Sequence, residues 1–114
     1  MKLYEAVHQY EFHDSLLEAI EYDPQKRTVR LTVDFCFWMQ DSYDGTQPET
    51  GMLCFKFTGV ARLEYEPYHV NSDVILSVDS DGKDEITFCV FSEDSGDCRT
   101  ITISAADVEA EPCR

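Results

Sequence analysis

A chain of 114 residues, 43% hydrophobic and 28% charged, has the composition of a folded domain rather than a disordered segment. Its length suffices for a core without metal or disulfide staples. The formal charge of −14, from 23 acids against 9 bases, repels phosphate backbones and anionic headgroups and so argues against nucleic acid and membrane surfaces as partners.

Residues 1–12 set Leu3, Val7 and Phe12 among Glu and Gln, a spacing compatible with a short helix. No apolar stretch of secretory type follows Met1-Lys2, and no run approaches the ~18 apolar residues of a membrane span, so the expected compartment is the cytoplasm. His13-Asp14-Ser15 then leads into a first strand over 16–22. Asp23-Pro24-Gln25-Lys26 is a turn, because Asp bonds back to the turn backbone and Pro presets φ. The clearest strand follows: Val29, Leu31, Val33, Phe35 and Phe37 alternate with Arg30, Thr32, Asp34, Cys36 and Trp38. That period of two predicts one buried face, with Trp38 on the other, either exposed or covered by the N-terminal segment.

Met39–Gly51 is a polar loop of thirteen residues carrying Asp41, Tyr43, Asp44 and Glu49, long for a hairpin connection. Alternation resumes at Leu53, Phe55 and Phe57, and Gly59 interrupts it before Val60–Tyr65. The pattern predicts one long strand over 52–65, bent at the glycine and paired with 28–38. Strands over 73–79 and 85–92 flank Asp81-Gly82, a hairpin dipeptide that tolerates positive φ. Ser95-Gly96 marks a further hairpin before a strand over 99–104, and the last ten residues are expected to fray. The sum is a mainly β chain, or α+β if the N-terminal helix forms. It reads as a single antiparallel meander sheet of about six strands in one domain over 1–114.

Five cysteines (Cys36, Cys54, Cys89, Cys98 and Cys113) are odd in number and widely spaced, with no C-x-x-C pair. They read as free, mostly buried thiols, with no disulfide, zinc site or cofactor. His13-Asp14-Ser15 holds the three residue types of a hydrolase triad, but triad members meet through space from separated segments, so the tripeptide reads as a turn anchor. The run 79–85 approaches a calcium loop, yet Gly82 comes too early and Lys83 stands at a ligand position. No residue is assigned a catalytic role.

The segment Phe12-His13-Asp14-Ser15-Leu16-Leu17-Glu18-Ala19-Ile20-Glu21-Tyr22-Asp23, with Val29-Arg30-Leu31-Thr32-Val33 and Phe57-Thr58-Gly59-Val60 after it, resembles small bacterial β-rich proteins. Those proteins begin with an H-D-S segment, and some are similar to immunity proteins that neutralise secreted toxins. The resemblance implies a non-catalytic protein-binding domain whose partner is a basic toxin domain, and it carries no catalytic residues.

Charge and aromatics place the expected partner-binding residues at Trp38, Asp41, Tyr43, Asp44, Glu49, Asp81 and Asp84, since a simple meander brings the 39–51 loop and the Asp81-Gly82 hairpin to one end. Two other readings stand beside this one. The first is a small enzyme or ligand-binding β domain with a site near His13 and His69; the second is a structural homodimer joined through edge strands.

Overall fold

The computed structural model describes residues 1–65, 70, 72–80, 82 and 84–113. A helix, α1 (Leu3–Gln9), precedes β1 (Leu16–Asp23), β2 (Thr28–Cys36), β3 (Thr50–Thr58) and β4 (Arg62–Glu64). These are followed by β5 (Asp73–Asp79), β6 (Glu85–Ser92), β7 (Asp97–Ser104) and β8 (Asp107–Pro112), and one 3-10 turn (Phe37–Met39) separates β2 from β3. Mainly β, antiparallel and with a short N-terminal helix, the fold is of the expected class, with eight strands rather than about six.

The two extra strands arise from bends. The hydrogen-bonded order is β4-β7-β6-β5-β1-β2-β3-β8. Both outermost strands are continuations: β4 prolongs β3 beyond Gly59, and β8 prolongs β7 beyond Ala105-Ala106. Because β3 pairs with β8 and β4 with β7, residues 50–64 and 97–112 form one antiparallel ribbon, bent in both chains at the same level. The order therefore returns on itself as a barrel of six long strands. The bend needs glycine: Gly59 has φ +64°, and a Cβ there would lie 2.8 Å from the Ala106 Cβ. The predicted strand over 52–65 is thus present as β3 and β4. The predicted fraying at the C-terminus is corrected, because β8 pairs with β3 from Thr58↔Asp107 to Leu53↔Pro112 and buries Val108.

β1-β2-β3 and β5-β6-β7 are each meanders, but the chain is not one meander. The halves join through β3–β8 and through a junction of two residue pairs, Leu16↔Val74 and Leu17↔Asp73. Just beyond that junction the register shifts in both strands, between Leu17 and Ala19 in β1 and between Ile75 and Ser77 in β5. Such bulges bend strands, and here they turn β1 and β5 apart.

Val29, Leu31, Val33 and Phe35 of β2 face inward with Phe55 and Phe57 of β3, as the alternation predicts, while Leu53 and Phe37 are only partly buried. Ile86, Phe88 and Val90 of β6 meet them across the barrel together with Ile101 and Ile103 of β7. α1 closes the structure with Leu3 and Ala6 and is held at its start by Met1, whose backbone N–H and C=O both bond Val108 (3.0 and 2.9 Å).

One cysteine pair overturns the all-thiol expectation. Cys54 and Cys113 are joined by a disulfide with Cα atoms 5.5 Å apart, whereas Cys36, Cys89 and Cys98 are free. The cause is β8, which the sequence pattern did not reveal: Glu111 stands opposite Cys54, so Cys113 is its diagonal neighbour on the same face.

Candidate functional site

The end of the barrel at which β2 meets β3 carries most of the expected partner-binding residues. The ladder between the two strands stops at Cys36↔Thr50, and the chain turns into the 3-10 segment. Alternation therefore ends one residue before Phe37, and Trp38 does not share the β2 face with Arg30, Thr32 and Asp34. It stands 49% exposed on the turn. The N-terminal segment does not cover it, because α1 packs on the inner core instead.

The turn is held from both sides. The Trp38 N–H donates to Glu49 O (3.1 Å). Gln40 clamps the segment after α1: its Oε1 accepts the Glu11 N–H (2.9 Å), while its Nε2 donates to Glu11 O and Cys36 O (both 2.9 Å). Tyr43, half-buried, donates its N–H to Gln40 O. Asp41 and Glu49 are exposed, and Met52, 46% exposed, stands opposite Asp34 on β3. From Leu31 to Phe55 the chain holds Asp34, Asp41, Asp44 and Glu49 and no Lys or Arg. A cleft of about 380 Å³ opens beside this loop, lined by Tyr10, Phe35, Phe37 and Leu53 together with Gln40 and Asp41.

Asp44 organises the loop tip. Its Oδ1 accepts the Thr46 hydroxyl (2.6 Å) and the Thr46 N–H (2.9 Å), an Asx-type turn. The Thr46 hydroxyl bond, followed by the backbone bond, holds the Asp44 carboxyl below the ordinary aspartate value of 3.8. A lowered folded-state value means that the carboxylate supports the turn above the unfolded value and loses that role as pH falls through the folded one. Thr46→Val should therefore move the Asp44 titration midpoint up toward 3.8 in a carboxyl-carbon NMR titration. An unchanged midpoint would show that the hydroxyl bond does not form.

The hairpin residues do not join this group. Asp84 O accepts the Ala105 N–H (3.0 Å), and the adjacent Ala106 N–H donates to Thr58 O (3.1 Å). Asp84 therefore sits by the Thr58 end of β3, whereas the Trp38 loop enters at Thr50, and the strand between measures about 26 Å at ~3.3 Å per residue. Asp84 and Asp79 are thus placed apart from Trp38, Asp41, Tyr43, Asp44 and Glu49, because the bent ribbon and the two bulges swing the second meander round the barrel. Asp81 lies outside the described residues.

His13-Asp14-Ser15 is a turn anchor. Asp14, at φ +67°, donates its N–H to Ile75 O (3.0 Å), and Ser15 O accepts the Ile75 N–H (2.8 Å). The His13 Nδ1 lies 2.9 Å from Leu76 O. Ser15 is fully buried, and its Oγ accepts the Cys36 N–H (3.0 Å), so it faces the core rather than a substrate. His69, the other half of the alternative site, lies outside the described residues. Among the described residues no group of three or more His, Cys, Asp or Glu could hold a metal ion, and no helix is long and apolar enough to cross a membrane.

Sequence reasoning missed the Gln40 clamp, which has no local signature because the Glu11 backbone that it holds lies twenty-nine residues away. No protein-family model, no curated protein and no solved structure matches the chain.

Proposed function

We propose that the chain is a cytoplasmic protein-binding module that docks a basic protein on its Trp38 end, with a toxin domain as the partner class that the H-D-S resemblance implies. The observation that carries this reading is a half-exposed tryptophan, fixed by backbone and Gln40 bonds, in a stretch of four acids without a base. A pre-ordered aromatic loses little conformational freedom on binding and fills a partner pocket, which is how few residues come to dominate an interface. The acids draw a basic surface into encounter and select against acidic ones.

Capture at low salt from the source cells, followed by kinetics on the recovered partner, tests the proposal. Trp38→Ala should cost about 2 kcal/mol, roughly thirtyfold, expressed mainly as faster dissociation. The combined Asp41→Asn, Asp44→Asn and Glu49→Gln variant should mainly slow association. Affinity should fall as the Debye length shrinks from ~10 Å at 0.1 M to ~3 Å at 1 M salt. A partner held equally well by the Trp38 variant, or indifferent to salt, would place the interface elsewhere.

A further inference from the structure

β8 is fastened firmly at its start and weakly at its end. Val108 is buried and exchanges both backbone hydrogen bonds with Met1. Beyond it, Ala110 is half-buried, Pro112 is exposed and has no N–H to give the ladder, and Glu111 comes no nearer than 4.0 Å to the Arg30 guanidinium. Besides the last ladder pairs, to Leu53↔Pro112, what secures this end is the bond from Cys113, half-buried just past the strand, to Cys54, buried on β3. The Thr32 hydroxyl lies 3.7 Å from the Cys54 sulfur, close enough to serve a thiol there. The same chain keeps Cys36, Cys89 and Cys98 as thiols, Cys98 exposed, so bridge and free thiols stand side by side in one molecule.

We propose that Cys54–Cys113 is a reversible redox modification site that fastens and releases the C-terminal end of β8, in exchange with small disulfides and thiols of the glutathione type. In closing, the more accessible Cys113 thiolate attacks one sulfur of the small disulfide, forming a mixed disulfide and releasing one small thiolate. The Cys54 thiolate then attacks Cys113 in that mixed disulfide and releases the second. Two protein thiols are oxidised, one small disulfide is reduced to two small thiols, and the two protons pass to the released thiolates. Opening runs the sequence backwards. With the bridge open, residues 110–113 leave β3, its outer edge at Leu53–Phe55 loses its ladder partner, and Glu111 moves away from Arg30.

Thiol counting and hydrogen exchange on the full chain test this directly. After equilibration with oxidised glutathione, acid quenching and unfolding, peptide mapping should find Cys54 joined to Cys113, whatever mixed disulfide the exposed Cys98 carries; after excess reduced glutathione all five cysteines should be free thiols, reversibly. Reduction should speed amide exchange about tenfold or more in peptides covering 107–113 and 50–56, with 85–104 unchanged, because local opening follows local support. Cys113→Ser should show the reduced pattern even under oxidant. The proposal is overturned if Cys54 and Cys113 remain unjoined under oxidised glutathione, if the bridge resists reduction in the native state, or if exchange at 107–113 is the same in both states.

Discussion

Phe12→Ala should lower the stability of the fold by about 3–5 kcal/mol, the range for deleting a buried aromatic ring. Phe12 is 3% exposed and belongs to neither meander, yet its ring touches both. The ring centroid lies 5.0 Å from Phe55 and 5.8 Å from Phe35 in the first meander, and 5.5 Å from Phe88 in the second. Tyr10 adds a fourth ring at 6.1 Å. Two of these contacts are edge-to-face, worth about 0.5–1.5 kcal/mol each beyond area burial. The halves share one core across the barrel, and this ring sits where three of its aromatic side chains from both halves converge, so truncation opens a cavity between them. A urea titration monitored through Trp38 and by far-UV dichroism gives the number. Phe12→Leu, which refills part of the space, should recover a portion of the loss. A cost below about 1 kcal/mol for the alanine variant would show that the site collapses around the missing ring or that the ring is not seated there.

The same residue shows where reading the sequence stops. Alternation with a period of two identifies β2, β3 and β6 and their inward faces, because every second side chain must be apolar wherever one face is buried. It also places the β2–β3 pairing, since the loop between them leaves the two strands adjacent. Phe12 shows no period at all, and its role emerges only once both meanders are in place. β8 escapes for a related reason: Val108 and Ala110 among acids make a weak pattern, and the strand is stabilised by its nonlocal partner β3. The disulfide follows from β8 and was hidden with it.

At the candidate site, the loop from Trp38 to Glu49 stands out as a long polar stretch beside an aromatic, and the structure keeps those residues at one end. Phe37 continues the alternating pattern, so the pattern carries β2 too far and assigns Trp38 to a sheet face rather than a turn. A simple meander would put Asp84 at the same end. Two bulges and one glycine bend are enough to carry it away, and none of the three has a signature that fixes the direction of the bend.

Asp73→Asn is expected to stabilise the protein by about 1–3 kcal/mol, against the usual direction of core substitutions. Asp73 is 1% exposed, and neither carboxylate oxygen has a hydrogen-bond partner among the described residues. It stands opposite Leu17 in the β1–β5 junction, two residues before the buried Ile75 on the same face, so its side chain is directed into the barrel. A carboxylate there gives up its water and gains no bond in return, which is the costly arrangement for a buried charge. Asparagine keeps the shape, removes the charge and brings an N–H₂ that can donate to nearby carbonyls. The measurement is the denaturant midpoint near neutral pH, with Asp79→Asn, an exposed position on the same strand, as the control expected to stay within about 0.5 kcal/mol. A loss of stability in Asp73→Asn would mean that the oxygens accept bonds in solution and that the junction is held by the carboxylate. A gain would mean that the junction closing the barrel carries the desolvation cost of an unbonded carboxylate, which the surrounding strand pairs and apolar packing outweigh.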